Sequence, residues 1–357
     1  MSRGFDTLTV ESVEQLTRDA IAVQFARPST PIEFLAGQYL TLRQTIDGEP
    51  VTRSYSLCAA PGEALRIGIK HIPGGLFSTF AHEHLRPGSV LESLPADGSM
   101  TFVPTPGARR RYLLIAAGSG ITPILSILRT ILRDEPDSDV TLIFGNRSAA
   151  SMMFRDELCA LKNRYLARFM WLNLFSREDQ DAPLLNGRID NRLGVRLHQR
   201  LMDMRSFDAF YLCGPEAMIS EVTRGLRGLE IESSRIRFEL FLRSAEDARA
   251  VVARHEARAR RYGDQLCSVS VTLDGRTSTF ELATDGENIL DGALDAGLEV
   301  PFSCRNGVCA TCRARVLEGQ VEMDLNHALE PAQLEQGMVL TCQAHPVTAR
   351  VVLDYDV

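Results

Sequence analysis

Between Cys304 and Cys312 the chain reads Cys-Arg-Asn-Gly-Val-Cys-Ala-Thr-Cys, three cysteines at C-x4-C-x2-C spacing. A fourth, Cys342, follows in Leu-Thr-Cys-Gln-Ala-His-Pro. Four soft thiolates at this spacing are the ligand set of a [2Fe–2S] cluster. A loop that gives three ligands to one centre must fold tightly, and Gly307 supplies the backbone freedom for it. Peptide N–H groups pointed at the sulfurs then tune the reduction potential. Structural zinc and four buried thiols are the competing readings. Zinc favours two C-x2-4-C knuckles, and Cys342 has no second knuckle beside it, His345 being the nearest candidate. A cluster carries one electron at a time, so the rest of the chain is expected to hold a source of single electrons.

At 357 residues the chain exceeds one core and suits two or three domains. Its hydrophobic fraction of 45% and charged fraction of 24% are those of an ordinary soluble globular protein. No apolar run reaches the roughly 18 residues of a membrane span, and Met-Ser-Arg-Gly-Phe-Asp at the start lacks an apolar signal core. A net charge of −7 makes nucleic acid an unexpected partner. The other cysteines, Cys58, Cys159, Cys213 and Cys267, are scattered. Free thiols beside an iron–sulfur loop argue for a reducing cytoplasm, and the lack of a long apolar run for no membrane partner.

Residues 1–108 read as short strands broken by Gly and Pro, with one helical interruption after Gly74-Gly75, which predicts a small antiparallel β-barrel. From Arg111 the pattern changes. Tyr112–Ala117 is an apolar run of the buried parallel-strand kind. It enters Gly118-Ser-Gly-Ile-Thr-Pro123 and a helical pattern over Ile124–Leu132. Strands at Val140–Phe144, Phe169–Phe175 and Ala209–Cys213, with a helix around Met152–Leu161, predict a doubly wound parallel sheet over residues 109–243, closed by Arg237–Phe241. The glycine-rich turn lets backbone approach a pyrophosphate at a helix start, although it is not a full G-x-G-x-x-G fingerprint. Residues 244–266 are charged and thinly apolar and read as a tether able to become partly helical, its charges forming a solvated face. From Cys267 two strands flank Asp274-Gly275, a hairpin signal. Thr284-Asp-Gly-Glu287 reads as a capping box for a helix over Ile289–Ala296, ahead of the cluster loop in a final module over residues 267–357.

Arg53-Ser54-Tyr55-Ser56 resembles the Arg-x-Tyr-Ser flavin signature of the ferredoxin–NADP reductase superfamily. The resemblance implies that Arg53 pairs with the flavin pyrophosphate, that Tyr55 lies on the isoalloxazine face, and that Ser56 donates toward the N5 edge. The helix start at Gly74-Gly75-Leu76-Phe77-Ser78-Thr79 offers backbone N–H groups to the pyrophosphate opposite Arg53, and it favours FAD over FMN. Lys70 and His71, just before it, complete the expected flavin set together with Ser54. Gly118, Gly120, Thr122 and Pro123 match the superfamily's Gly-x-Gly-Ile-Thr-Pro, and Cys213-Gly214-Pro215 matches the turn beside the nicotinamide. Ser56, Thr122 and Cys213 are thereby expected to align the reactants, with Cys213 neither nucleophile nor metal ligand. Phe241 matches the aromatic that shields the flavin. An acid usually ends the second strand of an NAD site. Here Phe144-Gly-Asn-Arg147 has none, and Ser176-Arg177 resembles the pair that holds a 2′-phosphate. Arg147, Ser176 and Arg177 therefore point to NADPH, while Glu178 and Asp179 point the other way toward NADH.

The last module is similar to plant-type ferredoxins, which implies a β-grasp fold with Cys304, Cys309, Cys312 and Cys342 as ligands. The three modules need one another, because nicotinamide delivers electrons in pairs, a cluster takes them singly, and flavin handles both. Module order and segments such as Ala116–Pro123, Met152–Arg155, Leu185–Asp190, Val308–Cys312 and Glu330-Pro331 resemble the reductase components of phenylacetyl-CoA epoxidases essentially end to end. That resemblance implies NADPH-driven electron transfer through FAD and [2Fe–2S] to a di-iron oxygenase acting on an aryl-CoA thioester. The rival readings are an NADH-dependent reductase of a Rieske-type hydroxylase, as in ketosteroid hydroxylation, and a non-enzymatic flavin and iron–sulfur sensor. The second would leave Gly-x-Gly-Ile-Thr-Pro and Cys-Gly-Pro without a purpose.

Overall fold

The computed structural model describes residues 6–28, 32–190, 199–239, 245–302, 307 and 310–356, leaving out the side chains of 245–249 and 252. Contacts divide the chain into two units, residues 1–71 with 76–240 and residues 72–75 with 241–357. No described helix is long and apolar enough to cross a membrane.

The first unit begins with six strands, β1 (Asp6–Thr17), β2 (Ala20–Phe25), β3 (Tyr39–Ile46), β4 (Glu49–Ser56), β5 (Arg66–Lys70) and β6 (Val90–Ser93), with α1 (Leu76–His84) before β6. They pair antiparallel in the order β4-β3-β6-β1-β2-β5. The bridge Leu57↔Ile67 and the bond from Cys58 N to Arg66 O (2.9 Å) join the end of β4 to β5, so the edge strands meet and the sheet closes. Alternate residues (Leu8 and Val10, Leu40 and Leu42, Ile67 and Ile69) fill the barrel's interior, as a period of two requires.

A parallel sheet follows: β7 (Arg111–Ala117), β8 (Asp139–Asn146), β9 (Phe169–Phe175), β10 (Ala209–Cys213) and β11 (Ile236–Glu239), in the order β11-β10-β7-β8-β9. Helices α2 (Ile121–Asp134), α3 (Arg155–Arg164) and α4 (Glu216–Gly228) make the crossovers. From β7 the chain winds one way through α2 and α3, and from β10 it winds the other way through α4. Right-handed crossovers therefore place helices on both faces. The helix expected at Met152–Leu161 begins at Arg155, because Phe154 takes a left-handed conformation (φ 57°) as its N-cap.

Barrel and parallel sheet share one core. Phe102 meets Tyr112 edge-on with ring centroids 5.5 Å apart, and Ser126 donates to Ala59 O at 2.6 Å. Glu157 on α3 accepts from Arg66 of β5 at 2.7 Å and also from Arg129 of α2, which reaches Glu63 at 2.8 Å. This ion-pair chain ties the barrel to two helices of its neighbour.

The second unit contains α5 (Ala245–Tyr262), then β12 (Leu266–Leu273), β13 (Arg276–Ala283), α6 (Ile289–Asp295), β14 (Arg313–Glu318), β15 (Val321–Met323), α7 (Pro331–Glu335), β16 (Met338–Leu340), β17 (Ala344–Pro346) and β18 (Arg350–Asp354). The main sheet runs β13-β12-β18-β14-β16, with β12 and β18 parallel and the rest antiparallel, the β-grasp arrangement. Asp274 (φ 49°) and Gly275 (φ 69°) make the tight turn of the β12–β13 hairpin. The capping box expected at Thr284 is not formed. Thr284 Oγ1 donates to Gly263 O at 2.6 Å, and Asn288 caps α6 by accepting from Asp291 N at 2.9 Å. The stretch read as a tether is an 18-residue helix. Its Val251, His255 and Arg258 are buried, so its charges are not all on a solvated face.

Candidate active site

Neighbouring strands β7 and β10 carry crossovers that leave in opposite directions, which opens a crevice at their carboxyl ends, the usual ligand position in such sheets. The loops there are in backbone contact. A Cβ on Gly120 would stand 2.1 Å from the carbonyl oxygen of Cys213, and one on Gly214 would stand 2.6 Å from Met218 Cε. At Gly120 the obstruction is backbone and no side chain fits, while at Gly214 one would have to displace Met218, so both loops present backbone close enough to cradle a pyrophosphate. Gly118 starts the turn at φ 53°. Thr122 is buried with its hydroxyl donating to Ser119 O at 2.9 Å, and Pro123 is buried behind it. Gly68 of β5 faces this turn, where a Cβ would stand 2.7 Å from Thr122 Cγ2. The nucleotide loop thus lies against the barrel.

On the barrel, Arg53, Tyr55 and Ser56 end β4. The Tyr55 ring lies 5.4 Å from that of Phe77, the second residue of α1. Burial pushes the Tyr55 phenol up, with nearby Arg53 opposing the shift. Ser56, Phe77 and Ser78 are buried, Gly75 closes a turn by donating to Ile72 O at 2.8 Å, and Leu76 is exposed. Thr79 Oγ1 and His71 Nε2 are 3.2 Å apart, and Lys70 pairs with Asp19 at 3.5 Å. Ser54 lies apart from this group, exposed and sharing a 3.0 Å hydroxyl contact with Thr41. An aromatic face beside the start of a nine-residue helix, with a guanidinium on the same strand, suits a flavin and its pyrophosphate.

One residue here escaped the sequence reading. Glu239 ends β11 as the register partner of Cys213, and it is 8% exposed. Its Oε1 would lie 3.3 Å from a Cβ on Gly98, and among the described residues no hydrogen-bond partner reaches its Oε2. Burial first, then the charge of Asp97, push its carboxyl up to about 8. Asp97 is bridged to Tyr39 by paired backbone bonds of 2.8 and 3.0 Å, and Tyr39 is the register partner of Ser56. Tyr39 on the barrel and Cys213 on the parallel sheet both lie close enough to this carboxyl for its charge to act on their own ionisation. Burial and Glu239 together hold the Cys213 thiol well above its ordinary range. A lone acid within Phe-Glu-Leu-Phe was the signal, since charged residues are rarely buried without purpose.

At the ends of β8 and β9, Ser176 N donates to Asn146 O at 3.0 Å and Arg177 N to Arg147 O at 2.9 Å. Arg147, Ser176 and Arg177 are therefore neighbours, all exposed. Glu178 Oε2 accepts from Ala149 N at 2.9 Å, which engages that acid in a turn.

In the second unit, buried Cys312 and Cys342 are joined through Thr341, whose N and Oγ1 donate to Cys312 O at 3.1 and 2.9 Å. The Tyr355 hydroxyl donates to Thr341 Oγ1 at 2.8 Å, and burial, then the two cysteines, push that phenol up. Gly307 at φ 68° is closely backed by Leu325 O, 3.1 Å from where its Cβ would be. Two buried thiols, with Gly307 left-handed and tightly backed, fit an iron–sulfur cluster. Cys304, Cys309 and Phe241 lie outside the described residues.

Comparison with known proteins accords with this geometry. Residues 7–102 match the oxidoreductase FAD-binding domain, 114–224 the oxidoreductase NAD-binding domain, and 271–347 the 2Fe-2S iron-sulfur cluster binding domain. The chain is 42% identical to a subunit of 1,2-phenylacetyl-CoA epoxidase from Escherichia coli (strain K12), over 99% of this chain and 98% of that protein. It is 32% identical to the ferredoxin reductase component of 3-ketosteroid-9-alpha-monooxygenase from Rhodococcus rhodochrous, over 98% and 96%. Among solved structures, phthalate dioxygenase reductase shares the fold across 98% of both chains, with a TM-score of 0.52 and 22% identity. With its flavin-, nucleotide- and cluster-binding domains in this order, the chain belongs to the same family as that phenylacetyl-CoA epoxidase subunit, the reductases that end in a plant-type ferredoxin domain.

Proposed function

We propose that the chain is the reductase component of an oxygenase, taking electrons from NADPH and delivering them to a di-iron oxygenase that acts on an aryl-CoA thioester, namely a phenylacetyl-CoA epoxidase. End-to-end identity of 42% with a subunit of that enzyme carries the assignment. When bound, FAD accepts a hydride and releases electrons singly, and the [2Fe–2S] cluster passes them on.

The chain's own groups act by placement. Arg53 and the backbone at Leu76–Thr79 hold the flavin pyrophosphate, with Lys70 and His71 at the margin of that site. Tyr55 and Phe241 cover the ring. Gly118, Gly120 and Gly214 let backbone approach the dinucleotide, and Pro123 and Pro215 fix the two loops around it. Thr122 and Cys213 orient the nicotinamide toward Ser56 on the flavin side. Glu239, its carboxyl pushed up to about 8 chiefly by burial, offers a proton-bearing oxygen beside Cys213 at the place where nicotinamide and flavin meet. Arg147, Ser176 and Arg177 supply charge and donors for a 2′-phosphate. Cys304, Cys309, Cys312 and Cys342 hold the cluster.

The second reading, an NADH-dependent reductase of a Rieske-type hydroxylase, rests on the 32% identity with a 3-ketosteroid-9-alpha-monooxygenase reductase. Cytochrome c reduction by the purified holoprotein with NADPH and with NADH separates the donors, and reduction of purified di-iron or Rieske oxygenase components separates the acceptors. Faster turnover with NADH, together with electron delivery to the Rieske component alone, would overturn the first reading.

A further inference from the structure

Helix α5 is mostly polar, yet Val251, His255 and Arg258 stand at 0, 0 and 1% exposure, on one face at i, i+4, i+7 spacing. A buried guanidinium requires a partner. Asp324, at 0% exposure, accepts from Arg258 Nη1 at 2.9 Å and Nη2 at 3.3 Å, a two-pronged pairing that lysine cannot make. Asp324 Oδ2 also lies 2.9 Å from His345 Nε2, whose ring stands edge-on to that of His255. Farther along the helix, the Tyr262 hydroxyl donates to Glu322 at 3.2 Å.

Asp324 joins two segments that meet at Gly307. Its backbone N donates to the carbonyl of Gln343, the residue after Cys342, at 2.9 Å. Three residues past Asp324, His327 N donates to Gly307 O at 2.9 Å. Leu325 O and Gln343 Cγ both crowd Gly307, at 3.1 and 3.3 Å from where its Cβ would be. Buried ion pairs contribute little net stability over apolar replacements of similar volume, so a geometric role accounts for this one better than a stabilising role.

We propose that Arg258 and Asp324 are positioning residues of the iron–sulfur centre. The charge pair that α5 brings into the ferredoxin module holds residues 324–327 and the turn at Cys342 against the cluster loop, and so sets cluster retention and reduction potential. The proposal rests on the reading of the four cysteines as cluster ligands. Removing the guanidinium would take a positive charge away from the surroundings of a centre already made negative by thiolates, which disfavours adding an electron.

Arg258→Met and Arg258→Lys in the full-length holoprotein test it, by redox titration followed by electron paramagnetic resonance and by cluster release to a ferrous chelator. Flavin midpoint and far-UV circular dichroism serve as references. Arg258→Met is expected to lower the cluster potential at an unchanged flavin midpoint and to speed cluster release about tenfold, as loss of a supporting contact around a metal centre does. Arg258→Lys, which keeps the charge but not the fork, should fall between. Wild-type potential, g values and release rate in a folded Arg258→Met protein overturn the proposal. Should that variant misfold, wild-type behaviour of Arg258→Lys overturns it and an intermediate shift supports it. A wild-type protein without a [2Fe–2S] signal would sink the reading of the cysteines as well. A normal signal with unresponsive variants sinks the positioning role alone.

Discussion

Glu239 and Cys213 are register partners at the carboxyl ends of β11 and β10, and the Glu239 carboxylate raises the cost of ionising the Cys213 thiol. Burial is the larger cause for both groups.

The pH dependence of stability follows from Glu239. Its carboxyl moves from an ordinary 4.5 in the unfolded chain up to about 8 in the fold, so between these values the folded state binds more protons. The stabilising contribution is complete below 4.5, falls as pH rises toward 8, and is then gone. Melting temperatures of wild-type and Glu239→Gln holoprotein measured across that interval should converge at low pH, with the wild type falling more steeply as pH rises. Parallel curves would mean that the carboxyl ionises normally.

Gly120→Ala places a methyl group 2.1 Å from the Cys213 carbonyl, and backbone cannot yield as a flexible side chain does. The loops at the crevice must separate, at a cost of roughly 1–3 kcal/mol of overpacking. Urea denaturation should report that loss, and the KM for the dinucleotide should rise. An unchanged KM would place the dinucleotide elsewhere.

Arg177→Ala should raise the KM for NADPH about tenfold or more, the scale of a charge-assisted contact, and hardly change that for NADH. Steady-state kinetics with both donors decide the point. An equal effect on the two would remove Arg177 from the 2′-phosphate.

Glu157 pairs with both Arg66 and Arg129 from a half-shielded position. Glu157→Gln leaves Arg66 with Glu14 and Arg129 with Glu63 but removes the carboxylate between them, and should cost about 1 kcal/mol in chemical denaturation. Double variants with Arg66→Met should recover part of that loss.

Cys309→Ser should abolish cytochrome c and oxygenase reduction while ferricyanide reduction at the flavin persists. Loss of both activities would show that the cofactors do not work in series.

Much of this architecture was legible because local chemistry dictates it. Asp274-Gly275 needs two left-handed residues, and few pairs other than Asp-Gly or Asn-Gly tolerate that turn. The apolar run Tyr112–Ala117 followed by Gly118-Ser-Gly announced a parallel strand feeding a phosphate-type turn. Elsewhere the determinants were distant in sequence. Closure of the barrel through Leu57 and Ile67 is a pairing that periodicity does not encode. Thr284 resembled a cap because its own neighbourhood fits one, yet its hydroxyl is taken by Gly263, 21 positions earlier. Helix α5 looked like a solvated tether since two of the three groups on its hidden stripe are polar, and their partner Asp324 lies 66 residues past Arg258. Glu239 stayed unnoticed for a related reason, because a single acid in a strand looks the same whether it meets water or a buried thiol.

The cluster-binding match begins at residue 271, but helix α5 begins at Ala245. An electron carrier excised at the start of the match would lose the guanidinium that Asp324 now meets, along with the buried Val251 of the same helix. Domain exchanges that aim to re-route electrons between reductases of this kind should therefore cut ahead of Ala245, so that the donor helix travels with the strands that it covers.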